Sequence, residues 1–147
     1  MHLPNLSYFS SVARHIRSNR GCRTILLVDD DPTVLIFLET MLKNEGYKVV
    51  TATDPSVALD IAGQITFDML ITDFQMPGMN GFTLATQIVR NRATLPVLLI
   101  SASELEQLPM PEISARHWSV LPKPLDRECL MHRIDYDCLG WAKRLHA

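Results

Sequence analysis

Short apolar runs alternate with amphipathic segments along most of this 147-residue chain. Uninterrupted apolar runs of this length are typical of strands that are buried on both faces, whereas helices place apolar residues three and four positions apart. The predicted strands are Thr24 to Val28, Tyr47 to Ala52, Met69 to Thr72, Pro96 to Ile100 and Trp118 to Leu121. Strands that alternate with helices predict an α/β fold, with a parallel sheet covered on both sides.

The segments between these runs carry helix signals. Residues 33–45 show helical spacing and stop at Gly46, a usual helix end, and Gly81 opens a later helix. Asp54 followed by Pro55 indicates a helix start, because aspartate caps free N–H groups and proline suits the first turn. The signals predict a helix after each of the first three strands.

The last two predicted helices are less regular. Pro109 and Pro111 interrupt residues 104–115, so we expect a shortened or irregular helix there. The apolar stripe of the last helix is predicted to be Leu125, Cys129, Leu130, Ile134 and Cys138. We therefore expect one domain over residues 24–140 and a short tail over residues 141–147.

The N-terminal segment differs in charge from the rest of the chain. Residues 1–23 carry +4 and the remainder carries −6, so the net charge is −2. A basic stretch without apolar periodicity is typical of a flexible, solvated arm. The small net charge gives no general attraction to nucleic acid or to anionic lipid, and we expect direct binding to neither.

The cysteines and the lengths of the apolar runs indicate the cellular compartment of the protein. Cys22, Cys129 and Cys138 are odd in number and lack metal-ligand spacing, which predicts free thiols in a reducing compartment. The apolar runs are too short to span a bilayer, and the N-terminus lacks the apolar core of a secretory signal. We therefore expect a cytoplasmic protein.

Polar residues follow four of the five predicted strands. Because ligands of open parallel sheets bind beyond the carboxyl ends of the strands, these side chains are expected to converge on one edge. They are Asp29, Asp30 and Asp31 after the first strand, Asp73 after the third, Ser101 after the fourth and Lys123 after the fifth. Crowded carboxylates repel one another unless a cation intervenes, and hard oxygen ligands of this kind suit Mg²⁺. A carboxylate beside such an ion can act as a nucleophile toward a phosphoryl group.

These residues and their surroundings resemble the response-regulator receiver family, which includes chemotaxis regulators. The matching stretches are residues 25–32 (ILLVDDDP), 70–81 (LITDFQMPGMNG), 97–102 (VLLISA) and 121–124 (LPKP). The resemblance covers about residues 24–140 and implies a flavodoxin-like fold with strand order 2-1-3-4-5.

The resemblance also implies residue roles. Asp73 is the implied phosphoacceptor, with Lys123 and Ser101 binding the phosphoryl group, and the implied Mg²⁺ ligands are Asp29, Asp30, Asp73 and the backbone carbonyl of Gln75. The expected donor is a sensor histidine kinase or a phosphotransfer protein. The expected output is contact with an unidentified protein target, without substrate turnover apart from loss of the domain's own phosphoryl group.

The chain departs from the family pattern beside the last strand. The family usually has Tyr or Phe three residues before the lysine, where this chain has Val120, and Trp118 lies two residues earlier. Residues 115–117 (ARH) also replace a common alanine-glycine segment. We predict that Asp73 is still phosphorylated but that the family's aromatic switch is absent.

Two other functions stay open at this point. Residues 29–33 (DDDPT) match the opening motif of haloacid-dehalogenase phosphatases, with Ser101 and Lys123 as later motifs. That family needs a further acidic pair after a later strand, and the pattern predicts no strand after Lys123. A pseudo-receiver that only binds proteins is the second alternative, favoured by the altered region 104–120.

Overall fold

Each predicted strand is present, with its ends shifted by one residue at most. The strands are β1 (Thr24–Val28), β2 (Lys48–Ala52), β3 (Met69–Asp73), β4 (Val97–Ser101) and β5 (Ser119–Pro122). All neighbouring strands are parallel, and their order is β2-β1-β3-β4-β5. The fold class and the strand order implied by the resemblance are therefore confirmed.

This computed structural model describes residues 22–102 and 105–145, and of residues 105 and 139–145 it describes the backbone alone. Most of the predicted basic arm therefore lies outside the described residues. The helices in the described part are α1 (Pro32–Asn44), α2 (Pro55–Gln64), α3 (Gly81–Val89), α4 (Met110–Ala115) and α5 (Arg127–Leu145). None of them combines the length and the hydrophobicity that crossing a membrane requires.

Local signals explain where these helices begin and end. The first three helices start at side-chain caps, in which Asp31, Asp54 and Asn80 accept backbone N–H groups of Thr33, Ser56 and Thr83. Gly46 follows α1 with a φ of 98°, a left-handed conformation that favours glycine. The fourth crossover is short, as expected from its prolines: a 3₁₀ turn (Leu105–Gln107) precedes the six-residue α4.

Two hydrophobic clusters cover the two faces of the sheet. Leu26 and Leu70 point to the face covered by α2, α3 and α4, whereas Ile25 and Ile71 point to the face covered by α1 and α5. Both faces are buried, so alternate residues of each strand can all be apolar. In α5 the predicted stripe is wrong at Cys129, which is exposed, because Leu130, Met131, Ile134 and Cys138 form the buried side.

The cysteines also differ from the expectation. Cys22 and Cys138 form a disulfide, and Cys129 is a free, exposed cysteine. The prediction of three free thiols is therefore wrong for two of them. The pair is 116 residues apart in the chain, and spacing arguments test neighbouring cysteines only. The argument for a reducing compartment, which used these thiols, loses that support.

Candidate functional site

The carboxyl ends of four strands bring the predicted polar residues to one edge of the sheet. Asp29 follows the last residue of β1, Asp73 ends β3, Ser101 ends β4, and Lys123 follows β5. The order of the strands places β1, β3, β4 and β5 side by side. Residues that are up to 94 positions apart in sequence thus meet in one place.

Three carboxylates form the centre of this edge. One oxygen atom from each of Asp29, Asp30 and Asp73 lies within 4.8 Å of the other two. Asp29 and Asp73 are buried, with 1% and 6% of their surface exposed, whereas Asp30 is exposed. The cluster is therefore open to solvent on the side of Asp30 and closed beneath.

Lys123 provides the positive charge of the site. Its Nζ lies 3.4 Å from Asp73 Oδ1 and 3.5 Å from Asp29 Oδ2. Its backbone N–H donates to the carbonyl oxygen of Ser101 at 2.7 Å, which fixes the lysine against the end of β4. One ammonium therefore stands between two buried carboxylates.

The electrostatics of the two buried acids favour a bound cation. Burial raises the pKa of Asp73 to about 6, Lys123 opposes the shift, and the charge of Asp29 adds to it. Burial also raises the pKa of Asp29, against the N–H of Asp31 and the charge of Lys123. A single lysine therefore does not offset the cost of ionising both carboxylates.

Two buried oxygen atoms at this edge make no hydrogen bond within the described part of the chain. They are Oγ of Ser101 and Oδ2 of Asp29, and the second of these lies 3.5 Å from Lys123 Nζ as its only ion-pair contact in the described residues. Buried polar atoms are normally paired, since leaving one unpaired costs about 1–3 kcal/mol. The site thus has hydrogen-bonding capacity that a ligand can use.

The loop after β3 is shaped by Gly81, whose role the sequence analysis missed. A Cβ atom on Gly81 would overlap the carbonyl oxygen of Asp73, closer than real Cβ atoms come to any other atom. The N–H of Gly81 donates to the carbonyl oxygen of Phe74 at 2.7 Å. Only glycine therefore lets the start of α3 close against the residue that carries the central carboxylate. Gln75 lies in this loop, two residues after Asp73, with its side chain exposed.

Comparison with known proteins decides the family. Residues 25–135 match the family described as the response regulator receiver domain. The chain belongs to this family. Transcriptional activator protein PfeR of Pseudomonas aeruginosa is 32% identical over 82% of the chain, which spans only 41% of PfeR. Protein PilH of the same organism is 32% identical over 76% of the chain and 93% of its own length. The match to the solved structure of chemotaxis protein CheY4 of Vibrio cholerae covers 78% of this chain and 98% of the CheY4 chain, with 28% identity and a TM-score of 0.71.

Asp31 occupies a structural position in this receiver domain. Its side chain is exposed and accepts the N–H of Thr33 at the start of α1, outside the carboxylate cluster. A haloacid-dehalogenase phosphatase would use this second acid in its chemistry. The capping role of Asp31 therefore argues against that alternative.

The altered region beside β5 lies away from the acidic site. Trp118 precedes β5 and packs edge-on against Phe82, with ring centroids 5.7 Å apart, and the Arg116 guanidinium lies 5.1 Å from the Trp118 ring centre. Val120 is partly buried against the apolar cluster beneath. These contacts hold Trp118 at the opposite end of the strand from Lys123. The absence of an aromatic switch in this receiver domain stays a prediction.

Proposed function

We propose that this receiver domain accepts a phosphoryl group on Asp73 with the help of Mg²⁺. The observation that carries the proposal is the position of Lys123 Nζ, within 3.5 Å of both buried carboxylates of a three-aspartate cluster. An ammonium there can bind a phosphate oxygen while Asp73 reacts. The family supports a phosphoacceptor role in two-component signalling.

The residues fit a magnesium ion. Carboxylates of Asp29, Asp30 and Asp73, with the backbone carbonyl of Gln75, are the oxygen ligands that Mg²⁺ takes. The Oδ2 atom of Asp29 makes no hydrogen bond within the described residues and is a natural ligand atom. When bound, the ion supplies positive charge that offsets the carboxylates and the phosphoryl oxygens.

The chain's own groups would then position the transfer. A carboxylate oxygen of Asp73 forms the new bond to phosphorus as the bond to the donor's histidine nitrogen breaks. Lys123 holds one phosphoryl oxygen by charge, and the Ser101 hydroxyl donates to another. The hydroxyl makes no hydrogen bond within the described residues, so it can donate to a phosphoryl oxygen without giving up a bond to any of them.

The donor in this proposal is a sensor histidine kinase or a phosphotransfer protein, and the compartment is the cytoplasm, where kinases draw on ATP. The output is a contact with a downstream protein instead of turnover of a substrate. The process regulated would depend on that partner; among the similar proteins, PfeR is a transcriptional activator and CheY4 is a chemotaxis protein.

Incubation with acetyl phosphate and Mg²⁺, followed by intact-mass measurement, tests the proposal. We expect the mass of one phosphoryl group on the native chain, none on Asp73→Asn and none when a chelator removes the ion. A phosphoryl gain on both proteins would exclude Asp73 as the acceptor.

Two further measurements separate the alternatives. A receiver stabilised by Mg²⁺ gains roughly 2.7 kcal/mol at a hundredfold excess over Kd, so its melting temperature rises. A pseudo-receiver without a metal site shows no rise. Sustained hydrolysis of a generic phosphomonoester would instead indicate a phosphatase.

A further inference from the structure

The disulfide lies near the amino ends of the strands, whereas the acidic site lies at their carboxyl ends. Cys22 stands two residues before β1, and Cys138 lies in the second half of α5. Their Cα atoms are 5.9 Å apart, and each side chain is less than 5% exposed. The bond therefore joins the segment that enters the first strand to the helix that covers the last one.

The segment around Cys22 is held by other bonds as well. The side chain of Asp68 accepts the backbone N–H groups of Arg23 and Thr24, both at 2.9 Å. The Cys22 sulfur lies 3.9 Å from the Asp68 carbonyl oxygen, so a thiol at this position has an acceptor for its hydrogen. Cys22 therefore has a stable position in the reduced form too.

The second half of α5 is joined to the rest of the domain by the disulfide and by polar contacts. The first half of the helix is anchored by the ion pair of Arg127 with buried Glu45 and by the buried side chains of Leu130 and Ile134. Next to Cys138, Ser119 Oγ donates to Asp137 Oδ1 at 2.8 Å and so links α5 to β5. β5 is an edge strand with no fully buried residue. Without the covalent bond, this part of α5 would be joined to the rest of the domain by non-covalent contacts, which include the Asp137 bond and a hydrogen bond of 3.3 Å that Tyr47 Oη donates to Asp135 Oδ1.

We propose that Cys22 and Cys138 are a reversible redox pair that fastens the second half of α5 and the start of β5. A thiolate of one cysteine attacks oxidised glutathione, and one glutathione thiolate leaves. The second cysteine then attacks the mixed disulfide and releases the other glutathione. Two protein thiols are thereby oxidised to one disulfide, and one glutathione disulfide is reduced to two thiols.

Burial of both sulfur atoms makes the exchange depend on local opening. Helix ends open far more often than the core of a domain. The second half of α5, which carries Cys138, is the part that must open. In the cytoplasm assigned under the proposed function, reduced glutathione would meet the pair each time this happens. The redox exchange itself does not depend on phosphorylation.

Hydrogen exchange on the folded chain, oxidised and reduced in native buffer by defined glutathione mixtures, tests the proposal. We expect amides of residues 138–145 and of β5 to exchange at least about tenfold faster in the reduced form, at labelling times so short that amides of β1 and β3 stay protected in both forms. Alkylation should count one reactive thiol in the oxidised protein and three in the reduced and denatured protein.

Variants separate the pair from general destabilisation. Cys138→Ser and Cys22→Ser should show the fast exchange at every glutathione ratio. Cys129→Ser, on the exposed side of the same helix, should respond as the native chain does. A disulfide that glutathione neither forms nor breaks in the folded protein, or equal exchange in both states, would overturn the proposal. Because these readouts need no phosphoryl transfer, they succeed or fail independently of the Asp73 assignment.

Discussion

Carboxylates at the two ends of the parallel strands have opposite surroundings. At the amino ends, Asp68 accepts two backbone N–H groups at 2.9 Å and so joins the entry of β1 to the entry of β3. At the carboxyl ends, Asp29 and Asp73 crowd together with raised pKa values, and an oxygen of Asp29 makes no hydrogen bond within the described chain. The hydrogen bonds of Asp68 stabilise the fold, whereas the carboxylates of Asp29 and Asp73 can still bind a ligand.

The comparison shows that the neighbours of a carboxylate decide whether the protein itself satisfies it. A carboxylate that meets N–H donors is satisfied by the protein itself and needs nothing else. Carboxylates that lie beside other carboxylates repel one another, and a bound cation offsets that repulsion. The four substitutions below test this contrast.

The largest expected effect is at Gly81. Gly81→Ala forces a methyl group against the Asp73 carbonyl oxygen, so we expect a loss of about 4 kcal/mol in the free energy of unfolding. Gly63→Ala in α2 is the matched control, because nothing lies within 4 Å of the added carbon. It should gain about 0.5–1 kcal/mol. Urea unfolding measures both, and equal stability of the two variants would refute the steric argument.

The next effect concerns pH. Asp73 has a pKa of about 6 in the folded domain against an ordinary value of 3.8, so its contribution to stability is complete below pH 4 and is lost as pH rises through 6. In a chelator, Asp73→Asn avoids this loss and should be about 3 kcal/mol more stable than the native chain at pH 7.5. The gain should vanish near pH 4. Asp60→Asn, at an exposed position of α2, controls for the loss of a negative charge. If the stability of Asp73→Asn and that of the native chain change with pH in parallel, the burial argument is wrong.

Substitution of Asp68 should lower the stability of the domain, by less than Asp73→Asn is expected to raise it. Asp68→Ala leaves the N–H groups of Arg23 and Thr24 without their acceptor, which should lower stability by about 2 kcal/mol at neutral pH. Asp68→Asn keeps an acceptor oxygen and should lose less. Acetyl phosphate labelling should be unaffected in both variants under folding conditions, and its loss would mean that the two edges are not separate.

Ser101 gives the smallest change in stability. Its hydroxyl makes no hydrogen bond within the described residues, so Ser101→Ala should change the free energy of unfolding by less than about 0.5 kcal/mol. Labelling by acetyl phosphate should nevertheless slow. A stability loss above 1 kcal/mol would show that the hydroxyl is already used by the fold.

Much of the fold follows from local signals, which explains why sequence analysis predicted it. Strand ends were predicted to within one residue, and the cap at Asp54 was recognised, because both depend on neighbouring residues. The disulfide depends on a contact across the fold, and the steric role of Gly81 depends on the conformation of the loop after β3. Cys22 and Cys138 are separated by almost the whole domain, and the clash at Gly81 involves a carbonyl oxygen that only the folded loop brings near.

The candidate site was predictable for a related reason. Parallel strands carry their last residues to a common edge, so the order of apolar runs was enough to bring Asp29, Asp73 and Lys123 together. Burial, and with it the raised pKa values, could not be read in the same way, because it depends on how closely the loops pack over the edge.

The link between Cys22 and Cys138 also closes a large loop of the chain. The two cysteines are 116 residues apart in sequence, and the loop that their bond closes contains all five strands. Such a loop restricts the unfolded chain more than the folded one, so the intact bond should stabilise the whole domain.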